Sequence, residues 1–235
     1  MSEKKPIYLL AGGHWNNPAA MLPLMRKILA DTGKSRPRIA SIGTANGDSS
    51  MFYHFTAGLF RKAGAETKKV ILAKAKANLN QARDLLEASD AVFISGGDVD
   101  AGMRWLELHR MKDFLKRLYD NGTLFFGISA GSIMLGSRWV RWEDPDNDDS
   151  AELFDCLGLA PLICDTHAEG DDWVELKTAV KLAGKDACGY GIPTSGVIRV
   201  APDGTLTGIE NEVVVYRNDD GKAEEAGVLS AFGIQ

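Results

Sequence analysis

The chain has 235 residues with 27 basic and 32 acidic side chains, a formal charge of −5 at pH 7. Hydrophobic residues make up 45% and charged residues 25%, an ordinary globular balance that excludes a disordered chain, a coiled coil and a disulfide miniprotein. The mild acidity and the scattered basic residues also argue against nucleic acid as a partner, because neutralising phosphates takes clustered Lys and Arg.

In chain order, Lys4-Lys5 precede a short apolar stretch from Ile7 to Ala11 that runs straight into Gly12-Gly13-His14. That stretch is too short for a secretory core. No run of eighteen apolar residues follows anywhere, so no membrane span is expected. The first two thirds alternate between strand-like and helix-like segments. Strands are predicted at 7–10, 39–42, 70–72, 91–95 and 123–128, short apolar runs that suit strands buried on both faces. Phe52, Phe55, Leu59 and Ala63 share one face of a helix whose cap is Asp48 or Ser49. Leu79, Ala82, Leu85 and Leu86 mark a second helix. Leu108, Met111, Leu115 and Leu118 mark a third, which stops at Asn121-Gly122.

Such alternation implies parallel strands, right-handed crossovers and helices on both faces, with ligands bound beyond the carboxyl ends of the strands. Those ends are glycine-rich here: Gly12-Gly13, Gly43 and Gly96-Gly97. After Val140 an acidic loop (143–149) leads to a short strand ending at Asp165-Thr166-His167 and a helix at 173–182. The tail reads as small strands at 196–200, 206–209 and 213–216, an antiparallel extension packed on the same sheet. No linker or repeat is visible, so residues 1–235 read as one domain. Cys156, Cys164 and Cys188 are odd in number and lack C-x-x-C spacing, which speaks against zinc or disulfides and fits a reducing, cytoplasmic setting.

The segment richest in chemistry is Gly127-Ile128-Ser129-Ala130-Gly131, a G-x-S-x-G pattern between an apolar strand and a helix. A sharp turn there lifts a nucleophile clear of the sheet edge, and the Ala130 amide would supply half of an oxyanion hole. The structural alternative is a serine that merely caps the helix. A hydroxyl needs a base near neutral pH. Of four histidines, His54 and His109 lie in helical segments where packing explains them, and His14 borders the glycine-rich edge. His167 ends a strand downstream of the elbow, and is the candidate base. Glu143, Asp144, Asp146, Asp148 and Asp149 crowd one loop, and spacing alone does not choose among them as the orienting acid. Asp144, Asp146, Asp148 and Asp155 also fall at positions 1, 3, 5 and 12 of a calcium loop. However, Asp149 replaces its glycine and an Asp its bidentate Glu, so no metal is expected.

Three segments together are similar to the dipeptidase E and cyanophycinase family of serine peptidases: Phe93-Ile94-Ser95-Gly96-Gly97-Asp98, the elbow through Ser132, and Pro161-Leu162-Ile163-Cys164-Asp165-Thr166-His167. With Gly189-Tyr190-Gly191-Ile192-Pro193 the likeness covers nearly the whole chain. It implies a three-layer α/β/α sandwich with a mostly parallel sheet, like a class I glutamine amidotransferase domain, and a small antiparallel C-terminal extension. It implies Ser129 as nucleophile, His167 as general base, Gly97 and Ala130 as oxyanion donors, and an acid fifteen residues past the nucleophile, at Asp144, with Glu143 as the alternative. No cofactor is implied.

In the family this chain resembles, cyanophycinase-like members follow the histidine with several arginines, and aspartyl dipeptidases use an arginine to hold the substrate's carboxylate. Here Ala168-Glu169-Gly170-Asp171-Asp172-Trp173 follows His167 instead, and acids repel an anionic side chain. The expected activity is hydrolysis of small peptides with neutral or basic N-terminal residues. Two rivals are an esterase and a non-catalytic small-ligand module on the same scaffold; a cysteine-based amidotransferase is excluded by the serine. A homodimer is the oligomer considered.

Overall fold

The computed structural model describes residues 3–13, 18–144, 147 and 150–233. Strand β1 (Ile7–Leu10) is followed by helix α1 (Leu22–Ala30), β2 (Arg38–Ile42), α2 (Ser50–Lys62), β3 (Glu66–Val70), α3 (Leu79–Glu87) and β4 (Ala91–Ile94). Helices α4 (Val99–Leu108) and α5 (Lys112–Asp120) lead into β5 (Leu124–Ile128) and the short helix α6 (Ala130–Leu135). A hairpin of β6 (Arg138–Trp142) and β7 (Ala151–Asp155) comes next, then β8 (Ile163–Thr166), α7 (Val174–Leu182) and β9 (Cys188–Ile192). The chain closes with β10 (Val197–Val200), β11 (Leu206–Ile209), β12 (Val213–Asp219), β13 (Lys222–Leu229) and β14 (Ala231–Phe232).

The main sheet runs in the order β14-β11-β10-β1-β5-β4-β2-β3. Strands β1, β5, β4, β2 and β3 pair in parallel, while β10 and β11 add antiparallel neighbours beside β1. Side chains alternate across it with the period of two that a pleat imposes. Ile7, Leu9, Ile42, Val92, Ile94 and Phe125 enter one core with Leu86, Met103, Leu115 and Met134 from α3 to α6. Tyr8, Leu10, Ile39, Phe93 and Phe126 enter the other, against Met25 and Ile28 of α1 and Leu59 and Phe60 of α2. The Phe60 ring stands edge-on to Phe93 and Phe126, with centroids 5.0 and 5.5 Å apart. Burial on both faces is why these strands read as continuous apolar runs. The α/β/α sandwich is as expected.

Strands β13-β12-β9-β8 make a second sheet, with β8 and β9 parallel. Helix α6, buried along its whole length, joins the two sheets. It packs on β1 and β5 of one and β8 of the other. Its Ser132 Oγ donates to the Leu10 carbonyl at 2.8 Å, and the Cys164 thiol of β8 reaches the Ser132 carbonyl at 3.8 Å.

Several expectations need correction. The strand expected at 70–72 lies at Glu66–Val70. The helix expected through Leu108 and Leu118 is two helices, α4 and α5, broken where Arg110 takes a φ of 52°. Apolar spacing runs across the break because both helices feed one core. The acidic segment lies in the chain between β6 and β7, an antiparallel pair whose two strands were not expected. Strands β10 and β11 extend the main sheet as expected, but β12 pairs with β9 in the second one.

Candidate active site

Ser129 follows β5 directly and takes φ 54° and ψ −128°, a conformation that only a constrained turn imposes on a residue with a side chain. Its N–H donates to the Leu10 carbonyl at 2.9 Å, which fastens the turn to β1. The flanking glycines are steric necessities. A Cβ on Gly127 would stand 2.4 Å from the Gly131 oxygen, and one on Gly131 would stand 2.1 Å from the Ile94 oxygen. The G-x-S-x-G spacing is therefore the sequence signature of three backbones in contact.

His167 leaves β8 with a φ of 49°, its N–H bonded to the Ile192 carbonyl at 2.9 Å. Its ring reaches back across the seam between the sheets, and Nε2 lies 2.7 Å from Ser129 Oγ. For the hydroxyl to donate to Nε2, the neutral ring must carry its proton on Nδ1. Ser129 and His167, picked out separately in the sequence as candidate nucleophile and candidate base, are thus brought together.

Gly97 has a φ of 144°, and a Cβ there would meet the Ala45 oxygen at 2.0 Å. Asn46 Nδ2 pins the loop by donating to Ser95 Oγ at 2.8 Å and to the Gly96 carbonyl at 2.7 Å. Among the described residues, neither the Gly97 nor the Ala130 N–H donates to a backbone carbonyl, and both residues line the cleft beside Ser129. Two free N–H donors flanking a hydroxyl form the arrangement that binds an oxyanion.

The acids are distributed differently from expectation. Glu143 and Asp144 are exposed in the β6–β7 turn and are absent from the cleft wall that holds Ser129 and His167. Glu169, two residues beyond the base, accepts the Thr194 N–H at 2.6 Å. Burial alone would raise its carboxyl, but the Thr194 N–H and the nearby His167 charge outweigh this and hold it below the usual carboxylate range. Asp165, two residues before the base, is 5% exposed. Its Oδ1 accepts the Thr166 N–H at 2.7 Å, whereas Oδ2 is buried without a partner. Neither was singled out in the sequence. A charged residue inside the apolar run Leu162-Ile163-Cys164-Asp165 was a usable signal for the second; Glu169 was hidden among neighbouring acids.

Of the remaining histidines, His109 is buried with Nε2 within 2.9 Å of the Leu72 carbonyl, and His54 is exposed on α2. His14 lies outside the described residues, as do Asp146 and Asp148 of the calcium-loop count. Among the described residues no helix is long and apolar enough to cross a membrane.

Ser129 and His167 stand at the border of two hollows. One, of ≈ 710 Å³, is walled by Asp98, Trp139, Arg141, Asp165 and Glu175 among others. The other, of ≈ 470 Å³, is apolar, with Met51, Phe52, Phe55 and Ile128 in its wall. With this geometry in view, the family model described as peptidase family S51 matches residues 7–222. The chain belongs to peptidase family S51. It is 37% identical over 64 residues to a peptidase E of Haemophilus influenzae, covering 27% of this chain and 29% of that one. It is 28% identical over 144 residues to a peptidase E of Actinobacillus pleuropneumoniae serotype 3, covering 60% and 58% of the two chains. The matched segments thus span less than two thirds of those relatives. Two solved structures share the fold. One is a peptidase from an acI-B1 Actinobacterium (TM-score 0.71, 16% identity, 97% of each chain). The other is a putative peptidase E protein from Listeria monocytogenes EGD-e (TM-score 0.63, 15% identity, 92% of this chain and 100% of that one).

Proposed function

We propose that this S51 member is a serine peptidase that hydrolyses small peptides through an acyl-enzyme. Ser129 is the nucleophile and His167 the general base, and the Gly97 and Ala130 N–H groups are the oxyanion donors. The observation that carries the reading is the 2.7 Å contact of Ser129 Oγ with His167 Nε2 at the carboxyl edge of the parallel strands. In the acylation step Oγ attacks the scissile carbonyl carbon while Nε2 takes its proton. The carbonyl oxygen becomes an oxyanion between the two amides. Nε2 then gives the proton to the leaving amine, and a water repeats the sequence to release the acyl group. Family membership supports serine peptidase chemistry at the coarse level.

The imidazolium formed midway needs a compensating charge. Sequence resemblance points to Asp144 for this. Glu169 is the better fit, because it is ionised, anchored by the Thr194 N–H and close enough to His167 to be stabilised by its charge. In this reading Glu169 positions and stabilises the ring.

The test has two parts. A fluorophosphonate probe is expected to label the wild-type protein but not Ser129→Ala, whose peptide hydrolysis falls about a thousand-fold or more. Absence of labelling, or equal labelling of the variant, ends the hydrolase reading. Glu169→Gln is expected to cost about a hundred-fold in kcat. A larger loss in Asp144→Asn than in Glu169→Gln returns the role to Asp144. Thioester and p-nitrophenyl ester substrates assayed in parallel separate the peptidase from an esterase.

A further inference from the structure

The larger hollow beside the catalytic pair is charged in one direction. Its wall holds Asp98, Asp100, Asp165, Asp171 and Glu175, against Arg141 and His167. Arg141 offers little to a substrate carboxylate, because it is already held by Asp100 at 3.1 Å and by Glu152 at 2.6 Å. Asp100 is in turn bridged to Arg104 at 2.7 Å. Asp98 spends one oxygen on the Ala101 N–H at 2.8 Å.

The remaining three acids are different. Among the described residues no Lys, Arg or His side chain forms an ion pair with Asp165, Asp171 or Glu175. Asp165 lies in the wall on β8, nineteen-twentieths buried, with Oδ2 lacking any partner. A buried polar atom without a partner is rare and costly, and the residue that carries it lines the open cavity that also holds Ser129. Burial raises the Asp165 and Glu175 carboxyls, and every charge acting on either of them is another carboxylate. Among the described residues, no cationic side chain pairs with these three carboxylates.

We propose that Asp165, Asp171 and Glu175 form a cation subsite of the catalytic cleft, which holds an ammonium group of the peptide substrate beside Ser129. The ammonium is either the free N-terminus or a basic side chain. Asp171 and Glu175 sit at the rim and meet it first, and beneath them a bound ammonium gives the unpartnered Asp165 Oδ2 a donor and favours its ionised form. Water screens the rim pair, whereas the buried carboxylate is screened much less. Acidic substrates are repelled by the same charges. The proposal rests on the peptidase reading for its biological sense, but binding can be measured without turnover.

The experiment is calorimetric titration of Ser129→Ala protein with three probes. L-leucinamide carries an α-ammonium, Nα-acetyl-L-lysinamide a side-chain ammonium, and N-acetyl-L-leucinamide no charge. At least one cationic probe is expected to bind ten-fold or more tightly than the neutral one, and which one does so tells the N-terminus from the side chain. Asp171→Asn/Glu175→Gln, which alters the rim and spares the core, is expected to lower that affinity ten-fold or more and leave the neutral probe unchanged. Equal binding of all three probes, no binding by either cation, or an unaltered affinity in the rim variant overturns the proposal. Fluorophosphonate labelling of the wild type reports separately on the hydrolase reading, so failure of one is not mistaken for failure of the other.

Discussion

Asp165 is the residue at which stability and binding pull in opposite directions. Burial, first of all, pushes its carboxyl up to about 7; Glu175, Asp171 and Glu169 add to this, against the Thr166 N–H. Between about pH 4 and that value the folded protein keeps a proton which the unfolded chain has released. The folded state then binds more protons, so stability falls as pH rises; the contribution is complete below about pH 4 and lost above about 7. A tenfold change in acid strength is worth about 1.4 kcal/mol, so the loss reaches about 4 kcal/mol at most. Asp165→Asn keeps an acceptor for the Thr166 N–H and cannot ionise. Its stability relative to the parent is expected to grow by about 2 kcal/mol between pH 5 and pH 8, measured by urea unfolding. A parallel pair of stability–pH curves would show that charge is not what Asp165 costs. Ser129 and His167 present the same tension in backbone form: both residues of the proposed catalytic pair occupy positive-φ conformations that surrounding hydrogen bonds must hold.

Among the structural elements, the loop after β4 is the one on which the proposed oxyanion site depends most directly. It presents the Gly97 N–H, and its shape depends on the two hydrogen bonds from Asn46 on the loop after β2. Asn46→Ala removes both without touching Ser129 or His167. A displaced donor weakens binding of the oxyanion more than that of the ground-state carbonyl, so kcat is expected to fall about ten-fold while KM changes less than about two-fold. Steady-state kinetics on one peptide suffices, and a change in KM alone would make the loop a binding element. The sequence made this loop visible only as a Gly-Gly pair at a strand end. The partner residue Asn46, 50 positions from Gly96, was invisible because such a bond depends on which strands lie side by side. The parallel core was legible because burial on both faces writes itself as apolar runs, and β1 matches its expected span of Ile7–Leu10 to the residue. Strand β9 was missed because Gly189 and Gly191 lower its strand signal. Gly191 is needed there since a Cβ would stand 2.8 Å from the Trp173 ring. The elbow and the candidate base were readable, being local patterns at strand ends, whereas Glu169 was one acid among several neighbours until its bond to the Thr194 N–H set it apart.

Over the whole molecule, the contact of Ser129 with His167 is a joint between two sheets. Ser129 belongs to the main sheet and His167 to the second, and the 2.7 Å between them depends on how both sheets seat on α6. Met134 sits at that joint, fully buried, with its sulfur 2.7 Å from where a Cβ on Gly102 of α4 would be. Truncating it removes packing from the centre of the larger core rather than from either sheet alone. Met134→Ala is expected to cost about 2–5 kcal/mol, read as a lower urea midpoint with an unchanged m-value. The same cavity gives the sheets freedom to shift. An oxygen–nitrogen contact loosened by even about 1 Å impairs proton transfer, so kcat is expected to fall several-fold under conditions where the variant is fully folded. Met134→Leu, which nearly conserves volume, is expected to restore most of both quantities. If Met134→Ala loses stability and keeps its kcat, the two sheets hold their register without this side chain, and the fastening of Ser129 to Leu10 and of His167 to Ile192 is enough by itself.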